Sequence, residues 1–179
     1  MAKNGDNKHV AARTVSESRV EMAHLVLPND TNPLGNILGG TVMHLIDLCA
    51  AIVAMRHARR RTVTASMDHL DFLNPIKMGE IVILKGTLNY VARSSMEIGV
   101  DVYSEDVLTG DRKRCCTAHL TFVAINDQGT PTEVPRLILR TRAERQKFEE
   151  AAERRRQRMR GKAAARPGGG SRRSPSRAS

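Results

Sequence analysis

The chain has 179 residues, 40% of them hydrophobic and 3% aromatic, and a formal net charge of +10, which suits one domain or one domain with a tail. With so few aromatics and no Trp it is poor in the stacking platforms used on single-stranded nucleic acid. No uninterrupted apolar run approaches the roughly 18 residues of a membrane span, and the first residues carry no apolar leader core.

Cys49, Cys115 and Cys116 make neither a disulfide framework nor a spaced zinc site, so the chain reads as cytoplasmic and reduced, with no metal expected. Residues 142–179 hold 13 Lys/Arg against 4 Asp/Glu, whereas the rest of the chain holds 16 against 15. The basic character therefore belongs to the tail, and it is no evidence that the core binds nucleic acid.

Residues 1–18 are expected to be disordered. A strand is predicted at 19–27, alternating through Val20, Met22, His24 and Val26. A loop dense in turn residues follows, and Asn32-Pro33-Leu34-Gly35 suits a type I turn. A helix is predicted from Thr41 to His57. It is apolar on nearly every face, so it is expected to be buried all round. Further strands are predicted at 62–72, 80–91, 95–105 and 112–125, joined by short connections at 92–95 and 106–111. A curved antiparallel sheet around one central helix satisfies this pattern. Residues 138–160 form a basic helical extension, expected to be solvated or to lie on a partner. Residues 161–179, rich in Arg, Gly and Ser, cannot form a core and read as a disordered tail, either solubilising or polyanion-binding.

Asp47 interrupts the apolar helix, and a carboxylate there needs hydrogen bonds or a function. Gly40 lies seven residues earlier, nearly two turns away on the same face. With Gly39 it opens the helix, where unpaired N–H groups can stabilise an oxyanion. Donors and a carboxylate on one face suit acyl transfer to water.

These residues resemble a known family. The series TNPLGNILGG, TVMHLIDLCAAIVAMRH, TVTASMDHLDFLNPIKMGE and SSMEIGVDV is similar to the hotdog-fold acyl-CoA thioesterases, nearest the cytosolic acyl-CoA hydrolase branch, over about residues 19–137. The resemblance implies an α+β hotdog fold, with a five-stranded antiparallel sheet wrapped round the helix. It implies a homo-oligomer, a dimer at minimum and a hexamer (trimer of dimers) as the expected form, with active sites between units. Asp47 matches the family's catalytic carboxylate, and Asn32 matches its loop Asn, supplied by the opposite subunit. Gly39 and Gly40 match its glycine pair. Ser95, after the hairpin turn and beside Arg93 and Ser94, matches a serine near the coenzyme A nucleotide. The implied reaction is hydrolysis of fatty acyl-CoA to free acid and CoA. Helix N-terminal amides, Gly40 foremost, would hold the oxyanion, and Asp47 would act as general base or as nucleophile. Thiolate leaves readily, so no separate cofactor is expected; coenzyme A is part of the substrate.

Other residues allow other readings. His44 could pair with Asp47 and would become the base of a hotdog dehydratase or isomerase. His57 suits the helix C-terminus. Asp68 could be structural or line the site. Arg56, Arg59, Arg60 and Arg61, with Arg93, could meet phosphates or be solvated charge. Cys115-Cys116 reads as core packing. A non-catalytic acyl-CoA-binding or polyanion-binding protein using the basic tail is the remaining alternative.

Overall fold

The computed structural model describes residues 12–68 and 70–164. Seven strands and two helices run in the order β1 (Arg13–Thr14), β2 (Val20–Leu25), α1 (Gly39–Ala58), β3 (Arg61–Met67), β4 (Ile81–Val91), β5 (Ser95–Glu105), β6 (Arg112–Ile125), β7 (Leu137–Ile138) and α2 (Arg142–Ala164). Five of the strands form one sheet in the order β2–β4–β5–β6–β3, and every neighbouring pair is antiparallel. The sheet curls around α1, as the alternation and the resemblance required.

Strand β5 shows how the two faces are divided. Met96, Ile98, Val100 and Val102 are buried against the core, while Glu97, Gly99, Asp101 and Tyr103 point to the other face. The hairpin into β5 is tight, with the Ala92 N–H donating to the Ser95 carbonyl at 2.8 Å. The next turn uses Gly110 at φ +75°, a left-handed conformation that glycine adopts without strain.

Helix α1 has 20 residues and a mean hydropathy of 1.3, long and apolar enough to cross a membrane by length and composition alone. Here it is the core helix. Ile46, Cys49, Ala50, Val53 and Ala54 are completely buried, and each large apolar side chain among them contributes about 2 kcal/mol. It ends at Arg59 in the left-handed region (φ 51°), whose N–H returns to the Met55 carbonyl. At Gly86 of β4 the helix meets the sheet so closely that an added Cβ would lie 2.8 Å from Val53 Cγ2 and 2.9 Å from Cys49 Sγ.

Three sequence expectations need correction. Helix α1 is not buried all round: Met43, Leu48 and Met55 are each more than 40% exposed, because the sheet covers only one side of it. Residues 12–18 are ordered. Strand β1 pairs in parallel with β7, and Val15 and Ser18 are buried, so the disorder expected for 1–18 fails there. Helix α2 is solvated on one side only, because its other face packs within the chain. It lies on the outer face of the sheet, where Phe148 meets the Tyr90 ring at 4.7 Å between centroids and Ala151 is fully buried. It also runs through residue 164, into the segment expected to be tail; residues 165–179 lie outside the described residues.

Candidate active site

The open end of α1 is its N-terminus. Its N-cap, Leu38, supplies no side-chain acceptor, so the first-turn N–H groups remain available. Space in front of Gly40 is clear, with nothing within 4 Å of an added Cβ, whereas a Cβ added at Gly39 would lie 3.6 Å from the Phe72 ring. A cavity of about 360 Å³ opens beside this end, lined by Asn36, Ile37, Gly39, Val42, Phe72 and Ile76 among others. An apolar pocket next to free N–H donors is suited to an acyl group whose carbonyl points at the helix.

Asn32 stands in the loop before α1. Its Oδ1 accepts the N–H groups of Leu34 (2.9 Å) and Asn36 (3.2 Å), and Gly35 N–H donates to its carbonyl at 2.9 Å. The side chain therefore shapes its own turn, and the Nδ2 group remains as the donor for a ligand.

Asp47 lies on the partly open face of α1, and Thr64 of β3 donates its hydroxyl to Oδ1 at 2.8 Å. Thr64 was missed in the sequence: a Thr in a strand is an ordinary β-former, and only the curl of the sheet brings it under Asp47. The bond holds one carboxylate oxygen and leaves the other for water. No hydrogen bond joins Asp47 to Asn32 or to His44 within the chain. His44 is exposed and is not placed as a base oriented by Asp47.

The shared helix face does not bring Gly40 and Asp47 together. Seven residues at 1.5 Å rise separate them by about 10 Å, whereas a base must lie within about 3 Å of the group it serves, or one water away. Within one chain, therefore, Asp47 with Thr64 stands apart from the Gly39–Gly40 end of the helix.

The remaining candidates are dispersed. Arg93 forms an exposed ion pair with Glu133 at 3.2 Å, and the Ser94 carbonyl accepts the Ala124 N–H. Ser95 lines a separate cavity of about 180 Å³ on the α2 side of the sheet, together with Ser66, Thr121, Arg155 and Arg158. Arg56 donates to the Arg19 carbonyl, and Arg61 stands 4.0 Å from Asp127. Asp68 is structural, held by Arg158 at 2.7 Å.

His57 does not act at the helix C-terminus as the sequence suggested. It is fully buried, donates Nε2–H to the Pro135 carbonyl at 2.9 Å, and burial lowers its pKa. The three cysteines are free and buried. A register shift in β6 leaves Cys115 opposite no residue of β5, and burial pushes the Cys116 thiol up to about 12. Among the described residues no group of three or more His, Cys, Asp or Glu side chains is placed to hold a metal ion.

Comparison with known proteins identifies the fold and the family. The Thioesterase superfamily model matches residues 34–110. The uncharacterized acyl-CoA thioester hydrolase YkhA of Bacillus subtilis is 45% identical over 74% of this chain and 77% of its own length. The cytosolic acyl coenzyme A thioester hydrolase of Rattus norvegicus is 38% identical over 76% of this chain, a match spanning 36% of that longer protein. Among solved structures, an apo-hexameric acyl-CoA thioesterase superposes with a TM-score of 0.82 at 39% identity, covering 88% of this chain and 100% of its own. The acyl-CoA hydrolase of Staphylococcus aureus, in complex with butyryl coenzyme A and coenzyme A, gives 0.80 at 36% identity, covering 86% of this chain and 94% of its own. An apolar pocket at an uncapped helix N-terminus, a carboxylate held from the sheet and this kinship carry one conclusion: the chain belongs to the thioesterase superfamily and is an acyl-CoA thioester hydrolase.

Proposed function

We propose that the working site is assembled from two copies of the chain, with Asn32, Gly39 and Gly40 of one copy facing Asp47 and Thr64 of the other. The observation that carries this is the separation of about 10 Å along α1 between Gly40 and Asp47, too long for both to act on one thioester within a chain. The exposed strip of α1 beside Asp47, with Leu48 and Met55, supports it: a second copy would cover apolar surface there. The hexameric state named for a related thioesterase supports an assembly of three such pairs. The staphylococcal enzyme has been solved with an Asn, an Asp and a Thr each replaced by Ala, the Asp 15 positions after the Asn and the Thr 17 after the Asp. Asn32, Asp47 and Thr64 repeat those residue types at those separations.

In this reading the fatty acyl chain fills the pocket at Phe72, and the thioester carbonyl points at the helix start. The Gly40 N–H, aided by that of Gly39, takes the developing oxyanion charge. The Asn32 amide orients water or substrate. Asp47, fixed by Thr64, removes the proton from water as it attacks, or attacks directly to form an anhydride that water then cleaves to free acid and the regenerated carboxylate. CoA thiolate leaves. The nucleotide end lies beside Arg93, Ser94 and Ser95. No cofactor takes part, and the enzyme works in the cytoplasm, as the cytosolic relatives suggest.

The test is CoA release from short, medium and long acyl-CoAs, followed by ultraviolet loss of the thioester. Asp47→Ala is expected to lower kcat by about a hundredfold or more, and Asn32→Ala by about tenfold or more. Hydrolysis that survives Asp47→Ala at the wild-type rate would reject the site.

A further inference from the structure

The cavity under α2 has the chemistry of a phosphate site. Its lining brings the Ser66, Ser95 and Thr121 hydroxyls together with the guanidinium of Arg155. The Thr121 Oγ1 is buried and has no hydrogen-bond partner, so a built donor stands unused. The neighbouring charges are already engaged. Glu97, 2% exposed, receives Arg154 at 2.7 Å and Arg158 at 2.8 Å, and Arg158 also holds Asp68. Arg155 forms no ion pair among the described residues. The local balance is three arginines against two carboxylates, one positive charge in excess, at a spot walled by hydroxyls. A phosphate monoester supplies what this lining lacks, because guanidinium and hydroxyl groups meet its oxygens with charge-assisted hydrogen bonds. The cavity of about 180 Å³ admits a phosphate group but not a whole nucleotide.

We infer that Arg155 of α2, with Thr121 and Ser66, binds the terminal phosphate of the coenzyme A moiety. The inference rests on the reading that the nucleotide lies beside Ser95. Position supports it. Thr64 and Ser66 pair with Phe122 and Thr121 across a bulge, so they stand on opposite faces of the edge strand β3, and the extended pantetheine arm would pass round that edge from the thioester to the cavity. It also makes α2, which lies wholly beyond the segment matched by the family model, part of the substrate site.

The experiment compares acyl-CoA with acyl-dephospho-CoA, which lacks only the 3′-phosphate, at equal acyl chain. Wild type, Arg155→Gln, Arg155→Lys and Ser95→Ala are measured as the full chain, with assembly checked by gel filtration. Wild type is expected to favour acyl-CoA about tenfold in kcat/KM, as a charge-assisted contact allows, through KM. That preference should fall to near unity in Arg155→Gln and return in part in Arg155→Lys. A preference that Ser95→Ala removes but Arg155→Gln keeps overturns the role of Arg155 alone. One kept by both variants puts the nucleotide elsewhere and overturns the Ser95 reading as well. If the cavity instead serves free phosphate, the two thioesters react alike, and inorganic phosphate inhibits wild type but not Arg155→Gln; that result also overturns the proposal.

Discussion

Among single residues, the most consequential contact is the hydroxyl of Thr64 on Asp47 Oδ1. It fixes the carboxylate rotamer and directs the second oxygen. Thr64→Val keeps the β-branched shape at an exposed strand position, so stability should hardly change. Expected is a loss of about tenfold in kcat with little change in KM, largely recovered in Thr64→Ser. Steady-state kinetics on one acyl-CoA check this, and an unaltered kcat would remove Thr64 from the machinery. Asp47 was legible from sequence because a carboxylate in an apolar helix demands a reason. Asn32 was legible twice over, as a turn former and through the family resemblance, and the structure assigns its Oδ1 to the turn. Thr64 was not legible, since its meaning comes from a neighbour 17 residues away across the curl of the sheet.

The elements divide by what stabilises them. Strands β4, β5 and β6 and helix α1 announce themselves through period and apolar content, and their bounds fall within a residue or two of the expectation. Helix α2 was legible as a helix from its residues, but its docking was not, because that docking is largely ionic: Arg154 and Arg158 reach Glu97 of β5 and Asp68 just after β3, and a polar helix gives no pattern that names such partners. Strand β1 was hidden for a similar reason, as its strand partner among the described residues, β7, lies more than 120 positions later in the chain. Glu97 is the keystone of this attachment. Replacing it with Gln leaves two arginines over a buried site with Asp68 as their one remaining carboxylate. Breaking such a buried pair costs about 3 kcal/mol. Urea denaturation of Glu97→Gln should show that loss as a lower midpoint, and an unchanged midpoint would mean that Phe148 and Ala151 hold the helix alone.

For the whole molecule, the proposed division of the site makes activity a property of the assembly. Asn32→Ala and Asp47→Ala are each expected to be nearly inactive. When the two variants are unfolded together and refolded, half the pairs are mixed, and each mixed pair has one intact site. Activity should therefore return to about a quarter of the wild-type level under random two-fold pairing. Mixing that restores nothing would show that both residues act within a single copy. The same view explains why Val63, on the edge strand β3, and Leu48, on α1, remain exposed in a single chain: isolated, the fold is only half covered.

The near contact of α1 with Gly86 makes that glycine a spacer of zero thickness between helix and sheet. A methyl inserted there works as a shim. It levers α1 outward at Cys49, two residues beyond Asp47, and so opens the hinge between the carboxylate and Thr64. Gly86→Ala should thus cost about 2 kcal/mol in stability and, in addition, lower kcat by roughly the factor seen for Thr64→Val. Trimming the opposing side chains with Cys49→Ala and Val53→Ala should let the helix settle back and restore the rate. If turnover in Gly86→Ala matches wild type, the depth at which the helix sits is not what aims Asp47.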